Sequence, residues 1–412
     1  MIKTALAILE TSNLFITGGA GSGKTTLTRA IIDEMTKSGK QVARLASTGM
    51  AATLLEGQTL HSFLDLGISN SQEELQRNGK LEPSKKSVKL IHAMDIIIID
   101  EISMVSAQLL DMIRLRLLQT HFKGRLIVVW DFLQLPPVVR GNEPIYFAFE
   151  SPSWENFAFE TLHLTGSYRT HEEDFLELLN NVRHATISQA QCIQLDTMVT
   201  QLPDDKSTIT LLYGKNISAQ NHNRTQLAHL HGDEIALETH ITVHDKKMQE
   251  RDVERFMTES RIEPQLTLKA GAPVLFTRNS WNYYNGERGR ISSIEGDLVW
   301  VKKSDGKSVK VERVETTKTK WSEKGKILCE EKLITLTQFP LTLGFAITIH
   351  KSQGMSLADY CIETNEIFAP SQFYVALSRS ISAHRVMLTK PNRSWEKLCF
   401  VHPKAMRFAT SE

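Results

Sequence analysis

Apolar residues fall into two rhythms along this chain. Short, wholly apolar runs at Leu14–Ile16, Ile96–Ile99 and Leu126–Trp130 predict buried strands. Apolar positions three or four apart, as in Leu27, Ala30, Ile31 and Met35, predict helices. The alternation runs from Leu14 to about Leu164, with Val42–Ala46 as a further strand. It predicts an α/β fold with a parallel sheet covered on both faces. In such a fold ligands gather beyond the carboxyl ends of the strands, so residues just after strands carry most weight. Ahead of the first strand, MIKTALAILETSN has Lys3 before an apolar stretch, faintly like a signal peptide. Glu10 interrupts it and no small-residue cleavage site follows, so an amphipathic helix is expected.

Residues 65 to 92 break the rhythm, being polar, Gly- and Lys-containing and weakly periodic. They are expected to form an excursion from the sheet, as a loop or stub subdomain. In the second half, Thr208–Tyr213, Ala272–Thr277, Ala358–Glu363 and Arg385–Leu388 are expected as strands of a second sheet. Ser371–Arg379 is expected as a helix. Over 281–338 the pattern changes, and Gly286, Gly289, Gly296 and Gly306 punctuate short alternating runs such as Leu298–Val301 and Ser308–Val311. That hairpin rhythm predicts a small inserted β-barrel. The expected domains are 1–165 with an excursion at about 64–92, then 166–280 continued by 339–412, with the barrel at 281–338 between.

Composition narrows this only slightly. A formal net charge of +1 over 412 residues leaves no global attraction for nucleic acid, so any such surface must be local. The four cysteines are scattered without C-x-x-C spacing, which argues for a reducing compartment and against a structural metal. No run approaches the roughly eighteen apolar residues of a membrane span. A cytosolic protein with no membrane partner is expected.

The strongest chemistry lies in NLFITGGAGSGKTT, Asn13–Thr26. A strand, the spacing G-x-x-x-x-G-K-[ST] and a helix follow one another, which is the context of a phosphate-binding loop. The backbone of Gly18, Gly19, Ala20, Gly21, Ser22 and Gly23 can turn its N–H groups onto phosphate oxygens, and the helix opening at Lys24, Thr25 and Thr26 adds positive potential. Lys24 is expected at the β- and γ-phosphates, and Thr25 at a magnesium ion. Asp100 and Glu101 end the apolar strand Ile96–Ile99. There Asp100 can hold magnesium, and Glu101 can orient or deprotonate an attacking water. Gln134, in DFLQLPPV, can hydrogen-bond a γ-phosphate or that water; a stiff proline loop explains the same residues without it. Thr48 and Gly49 lie in a small, hydroxyl-rich stretch whose amides can approach a sugar-phosphate chain, or whose Ser47 or Thr48 can cap a helix. His61 and Phe63 can contact a base or belong to the core. Lysines across 302–326 with Trp300 and Trp321 suit either a basic strand-binding face or a solvated barrel.

Taken together these residues resemble superfamily 1 helicases, most closely the PIF (petite-integration-frequency) family that moves 5′ to 3′ on single-stranded DNA. The resemblance is carried by GGAGSGKTT, ASTGMAA, TLHSF, IIDEISMV and DFLQLPPV, then Tyr168-Arg169, LKAGAPVLFTRN, NGERG, TIHKSQG and YVALSR, in the family's order from Gly18 to Arg379. It implies two RecA-like motor domains with ATP and Mg2+ in the cleft between them. Arg169 and Arg379 would face the γ-phosphate as arginine fingers, which suits a permanently charged, bidentate group. Gln353 and Gly354 would couple nucleotide to DNA. Pro136, Asn279, Thr348, His350 and Lys351, with Thr48, Gly49, His61 and Phe63, would lie on the DNA side. The implied partners are single-stranded and forked duplex DNA, met by a monomer, with the 65–92 excursion as the candidate wedge. A rival reading is an ATP-gated single-strand clamp that does not separate duplex; nothing suggests the lid and acceptor pocket of a small-molecule kinase. Three positions depart from the family pattern. Trp130 stands where the family usually has Gly, Thr170 where it often has Gln, and residues 1 to 13 hold no glutamine to read adenine.

Overall fold

In the computed structural model, which describes residues 1–47, 52, 55–67, 69–137, 139, 143–170, 172–201, 208–324 and 327–411, the first half is built on one parallel sheet. Its strands are β1 (Asn13–Gly18), β2 (Val42–Ala46), β3 (Gln58–Thr59), β4 (Ile96–Asp100), β5 (Arg125–Val129) and β6 (Phe159–Leu164). They lie in the order β3-β2-β4-β5-β1-β6, every neighbouring pair parallel. The central strands are apolar along their length because both faces are covered, as parallel sheets require. On one face Ile16, Ile98 and Ile127 meet Leu27 and Ile31 of the helix Lys24–Lys37 and Ala5, Ile8 and Leu9 of the helix Ile2–Thr11. On the other, Phe15, Ile97 and Val128 meet the helix Ala107–Gln119. The amphipathic N-terminal helix is therefore present and part of this core.

The excursion near residues 65–92 holds two short helices, Gln72–Arg77 and Lys85–His92, capped by the hydroxyls of Ser71 and Ser84. Arg116 anchors it. This fully buried guanidinium, from the helix Ala107–Gln119, donates to the carbonyls of Leu64, Asp65, Lys80 and Leu81. A planar fork of donors answers the carbonyls of two turns at once, and the Gln119 amide joins it on Leu81.

A second parallel sheet takes Ala346–Thr348, Thr210–Tyr213, Tyr360–Ile362 and Val386–Leu388 in that spatial order. One expected strand does not belong to it. Pro273–Phe276 pairs antiparallel with Arg288–Glu295 and Leu341–Leu343. Only eleven residues join it to the next strand, and parallel neighbours need a crossover of a dozen residues or more. The missing member, Ala346–Thr348, is only three residues long and carried no separate signal. Across the expected barrel, 281–338, and the strands that flank it, the described strands pair in antiparallel ladders. One has five strands, and another pairs the hairpin Val314–Lys324 and Ile327–Gln338 with His240–Val243. Among the described residues no helix is long and apolar enough to cross a membrane.

The chain ends by returning to its beginning. The helix Pro403–Ser411 packs on the first lobe, where Phe408 stacks on Phe149 at 4.3 Å and meets Phe132 and Trp154 edge-on at 5.3 and 5.6 Å. Phe132 lies in the segment that leaves β5, so this helix braces a loop facing the cleft. Phe408→Ala should lower stability by about 2–3 kcal/mol, less than a fully buried phenylalanine because the ring is partly exposed. Urea unfolding followed by circular dichroism measures it.

Candidate active site

β4, β5 and β1 are neighbours and point the same way, so the loops after all three open at one edge of the sheet. After β1 comes the phosphate loop. Gly21 and Gly23 hold left-handed conformations, with φ of 78° and 88°. A Cβ on Gly21 would fall 2.8 Å from the Arg169 Cβ, and one on Gly23 would fall 3.1 Å from the Tyr168 ring. The Tyr168 N–H donates to the Gly21 carbonyl at 2.8 Å. Glycine is thus needed both for the turn and for the approach of Tyr168-Arg169. Lys24 is buried and its ammonium donates to the carbonyls of Gly18 and Gly19 at 2.7 and 2.8 Å. Burial lowers its pKa to about 8, with Asp131 and Asp100 opposing and Arg183 and Arg169 adding to the fall. Thr25 and Thr26 are exposed at the first helical turn. The buried Ser22 hydroxyl has no hydrogen-bond partner.

After β4 come the two carboxylates. Burial raises the Asp100 pKa to about 6, partly offset by the Glu101 N–H at 2.9 Å and by Lys24. Glu101 sits at φ 56°, ψ 43°, a left-handed conformation that strains a side-chain-bearing residue by on the order of 1–3 kcal/mol. From the second lobe, the charges of Arg261 and Arg379 act on it.

After β5 come Trp130, Asp131 and Gln134. Asp131 is buried, and Arg183, at the end of the second-lobe helix Glu173–Arg183, forks onto it with Nε and Nη2 both at 2.9 Å. Burial pushes the Asp131 carboxyl up, and the Arg183 charge and hydrogen bonds overcome that, so it ends below the usual carboxylate value. Gln134 is buried too, and its amide lies 3.4 Å from the same carboxylate. The lobes meet again where the Ala20 N–H donates to the Tyr374 hydroxyl at 2.8 Å. Arg169 donates to the Ser378 carbonyl at 2.6 Å. Arg379 is buried and donates to the Val375 carbonyl and the Ser378 hydroxyl, both at 2.8 Å. Its pKa falls to about 9 through burial and then through Arg169. Lys24, Arg169 and Arg379 therefore converge from both lobes. The contacts holding Lys24 and Arg379 here are to carbonyls and a hydroxyl.

The residues expected on the DNA side are more dispersed. Phe63 is 2% exposed within the first lobe's core, beside Leu60, Leu64 and Leu66, so its ring cannot stack on a base. The helix Leu60–Phe63 turns that ring inward while Ser62 faces solvent. His61 is half-buried, its Nε2 3.1 Å from the Ser69 carbonyl. Thr348 is buried and its hydroxyl accepts the Lys351 N–H. His350 and Lys351 are half-buried beside Arg261, and burial lowers both pKa values. Pro136 is buried; Asn279 is exposed, with its side-chain oxygen accepting the Asn285 N–H. Gln353 is buried with its side-chain N–H2 unpartnered, next to the exposed Gly354. Thr48 and Gly49 lie outside the described residues. Two cleft residues had no assigned role in the sequence reading. Arg183 ends an ordinary amphipathic helix, so no local signal marked it, whereas Tyr374 stood in plain view within YVALSR.

The sequence model of the PIF1-like helicases matches residues 1–192. The ATP-dependent DNA helicase Pif1 of Campylobacter jejuni is 33% identical over 401 residues, covering 92% of this chain and 89% of that protein. The fold matches Bacteroides sp Pif1 in complex with ADP-AlF4 with a TM-score of 0.85 at 26% identity, over 100% of this chain and 96% of that one. Bacteroides Pif1 bound to ssDNA matches with a TM-score of 0.67 at 27% identity, over 100% and 96% of the two chains. The two parallel sheets are those of two RecA-like lobes. With a third of its residues shared along nearly its whole length, the chain belongs to the PIF1-like helicase family.

Proposed function

We propose that the chain is an ATP-dependent DNA helicase that moves 5′ to 3′ along single-stranded DNA and opens duplex at forks. One observation carries this reading: the buried Lys24 and Arg379 and the half-buried Arg169, three cations from two lobes, converge on a phosphate loop. Buried like charges are expensive unless an anion joins them. A triphosphate supplies that anion, and its terminal phosphate is what all three would grip. The unpartnered Ser22 hydroxyl and Gln353 amide support the fit, since each is a buried donor awaiting an acceptor.

In this reading the amides of Gly18–Thr26 and the ammonium of Lys24 bind the β- and γ-phosphates. Glu101 orients the attacking water and takes its proton, its strained backbone aiming the carboxylate. Gln134 holds the same water or a γ-phosphate oxygen. Arg169 and Arg379 neutralise charge growing on the transferred phosphoryl group. The Thr25 hydroxyl and the Asp100 carboxylate would hold a magnesium ion, which supplies positive charge to the phosphates when bound. An all-oxygen donor pair suits that hard cation, and a buried carboxyl with its pKa near 6 is one a cation would return to its charged form.

Hydrolysis followed by departure of the phosphate would remove the anion that the two arginines share with Lys24, and their repulsion would favour parting of the lobes. A switch driven from 1:99 to 99:1 needs about 5.5 kcal/mol, against about 1.4 kcal/mol to unstack one base-pair step. Binding of one nucleotide can therefore drive a one-pair step. Gln353 and Gly354 would carry the change to His350, Lys351 and Asn279 on the strand-binding side. The hairpin Val314–Lys324 reaches the first lobe beside TLHSF, where the Gln58 amide donates to Thr319 at 3.1 Å. That supports a strand path running across both lobes there, with the excursion at 65–92 as the wedge. The related ssDNA-bound structure supports the same partner.

Duplexes with a single 5′ or 3′ tail test the proposal. Release of the strand from the 5′-tailed substrate alone is expected; strand-stimulated hydrolysis without release would mark a clamp instead. Lys24→Ala should lower ATP turnover on the order of a hundredfold or more while leaving single-strand binding in place. Arg183→Ala should destabilise by about 3–5 kcal/mol, because Asp131 is left buried and unpaired. In the parent protein the folded-state Asp131 pKa lies below its ordinary 3.8, so the pair's contribution is full above that value. It is lost as pH falls through the lowered folded pKa; denaturant titrations across that range should show the acid dependence weaken in Arg183→Ala.

A further inference from the structure

Trp130 is a large aromatic in the crevice with no part in the hydrolysis scheme. It follows β5 immediately, and its backbone N–H donates to the Ile16 carbonyl of β1 at 3.0 Å. The sheet order β4-β5-β1 sets it between Asp100-Glu101 on one side and the phosphate loop on the other. The Lys24 ammonium lies over its ring, 5.6 Å from the centroid. The indole Nε1 is buried and has no hydrogen-bond partner. Indole N–H groups are donors only, and when buried they usually find an acceptor. This unmet donor lies next to a lysine and four residues from a buried amide at Gln134. The face and the edge of the ring thus have separate uses. The electron-rich face favours a cation, and the edge favours an anion.

We infer that Trp130 is a further nucleotide-binding residue, its indole N–H donating to a terminal phosphate oxygen of the bound nucleoside triphosphate while its face supports the Lys24 ammonium. This rests on the triphosphate reading of the cleft and adds discrimination to it. A donor committed to the terminal phosphate would separate triphosphate from diphosphate. Lys24, which also meets the β-phosphate, serves both.

The test is nucleotide affinity, measured by calorimetry with a non-hydrolysable ATP analogue and with ADP. W130F keeps a ring over Lys24 and removes the N–H. Loss of a hydrogen bond to a charged acceptor should weaken the ATP analogue about tenfold and leave ADP unchanged. Equal weakening of both ligands, or no change in either, overturns the assignment. Lys24→Ala provides the reference: if the parent protein and Lys24→Ala bind the ATP analogue equally, the phosphate-loop reading itself fails, which is a different result. A second measurement does not depend on W130F folding. Of the six tryptophan indole N–H resonances of the parent protein, one should move downfield with the ATP analogue and stay in place with ADP. Absence of such a resonance also overturns the inference.

Discussion

Positive charge held out of water at the junction of two lobes governs this molecule. Lys24 comes from the first sheet, Arg169 from the connection between the lobes and Arg379 from the far side, and burial lowers the pKa of each. Asp131 and Arg183 show what a settled case looks like, with a carboxylate and a guanidinium paired through two hydrogen bonds. The other three lean on carbonyls and a hydroxyl. A polyphosphate completes them, and it does so for both lobes together. Binding energy at this site is therefore also energy of lobe position, because the ligand's affinity differs between arrangements that do and do not bring the arginines in.

The sheets make that convergence possible. Three parallel neighbours, β1, β4 and β5, deliver a phosphate loop, a carboxylate pair and a glutamine-bearing loop to one edge, and no single loop could hold all three. The second sheet then presents Ser371–Arg379 against that edge, with Tyr374 bonded to Ala20 of the loop itself. Packing behind the cleft is continuous with it. Phe132, two residues before Gln134, is wedged among Phe149, Trp154 and Phe408, so the C-terminal helix steadies a loop whose other end carries cleft chemistry.

Some features could be read from residues in a row. The phosphate loop, the carboxylates closing an apolar strand and the helices flanking them need only local spacing, because period and turn chemistry act over a few residues. Other features were ambiguous at that range. His61 and Phe63 are two apart on a four-residue helix, and only packing shows one ring in the core and the other half-exposed. Pro273–Phe276 reads as an apolar strand in either sheet, and the eleven-residue link that follows it, too short for a crossover, suits the antiparallel one.

Composition and order along the chain sufficed for an ATP-binding, two-sheet protein resembling a helicase family, since those properties reside in short motifs whose chemistry is intrinsic to neighbouring residues. Partnership across the cleft was beyond their reach. Asp131 and Arg183 are 52 residues apart, and Ala20 and Tyr374 are 354 apart. Nothing in either local sequence names its partner, because burial and facing geometry arise only when the lobes close on one another. Trp130 belongs to the same class: its place in the chain shows an unexpected bulk, and only the folded crevice shows a lysine over its face and an unmet donor at its edge.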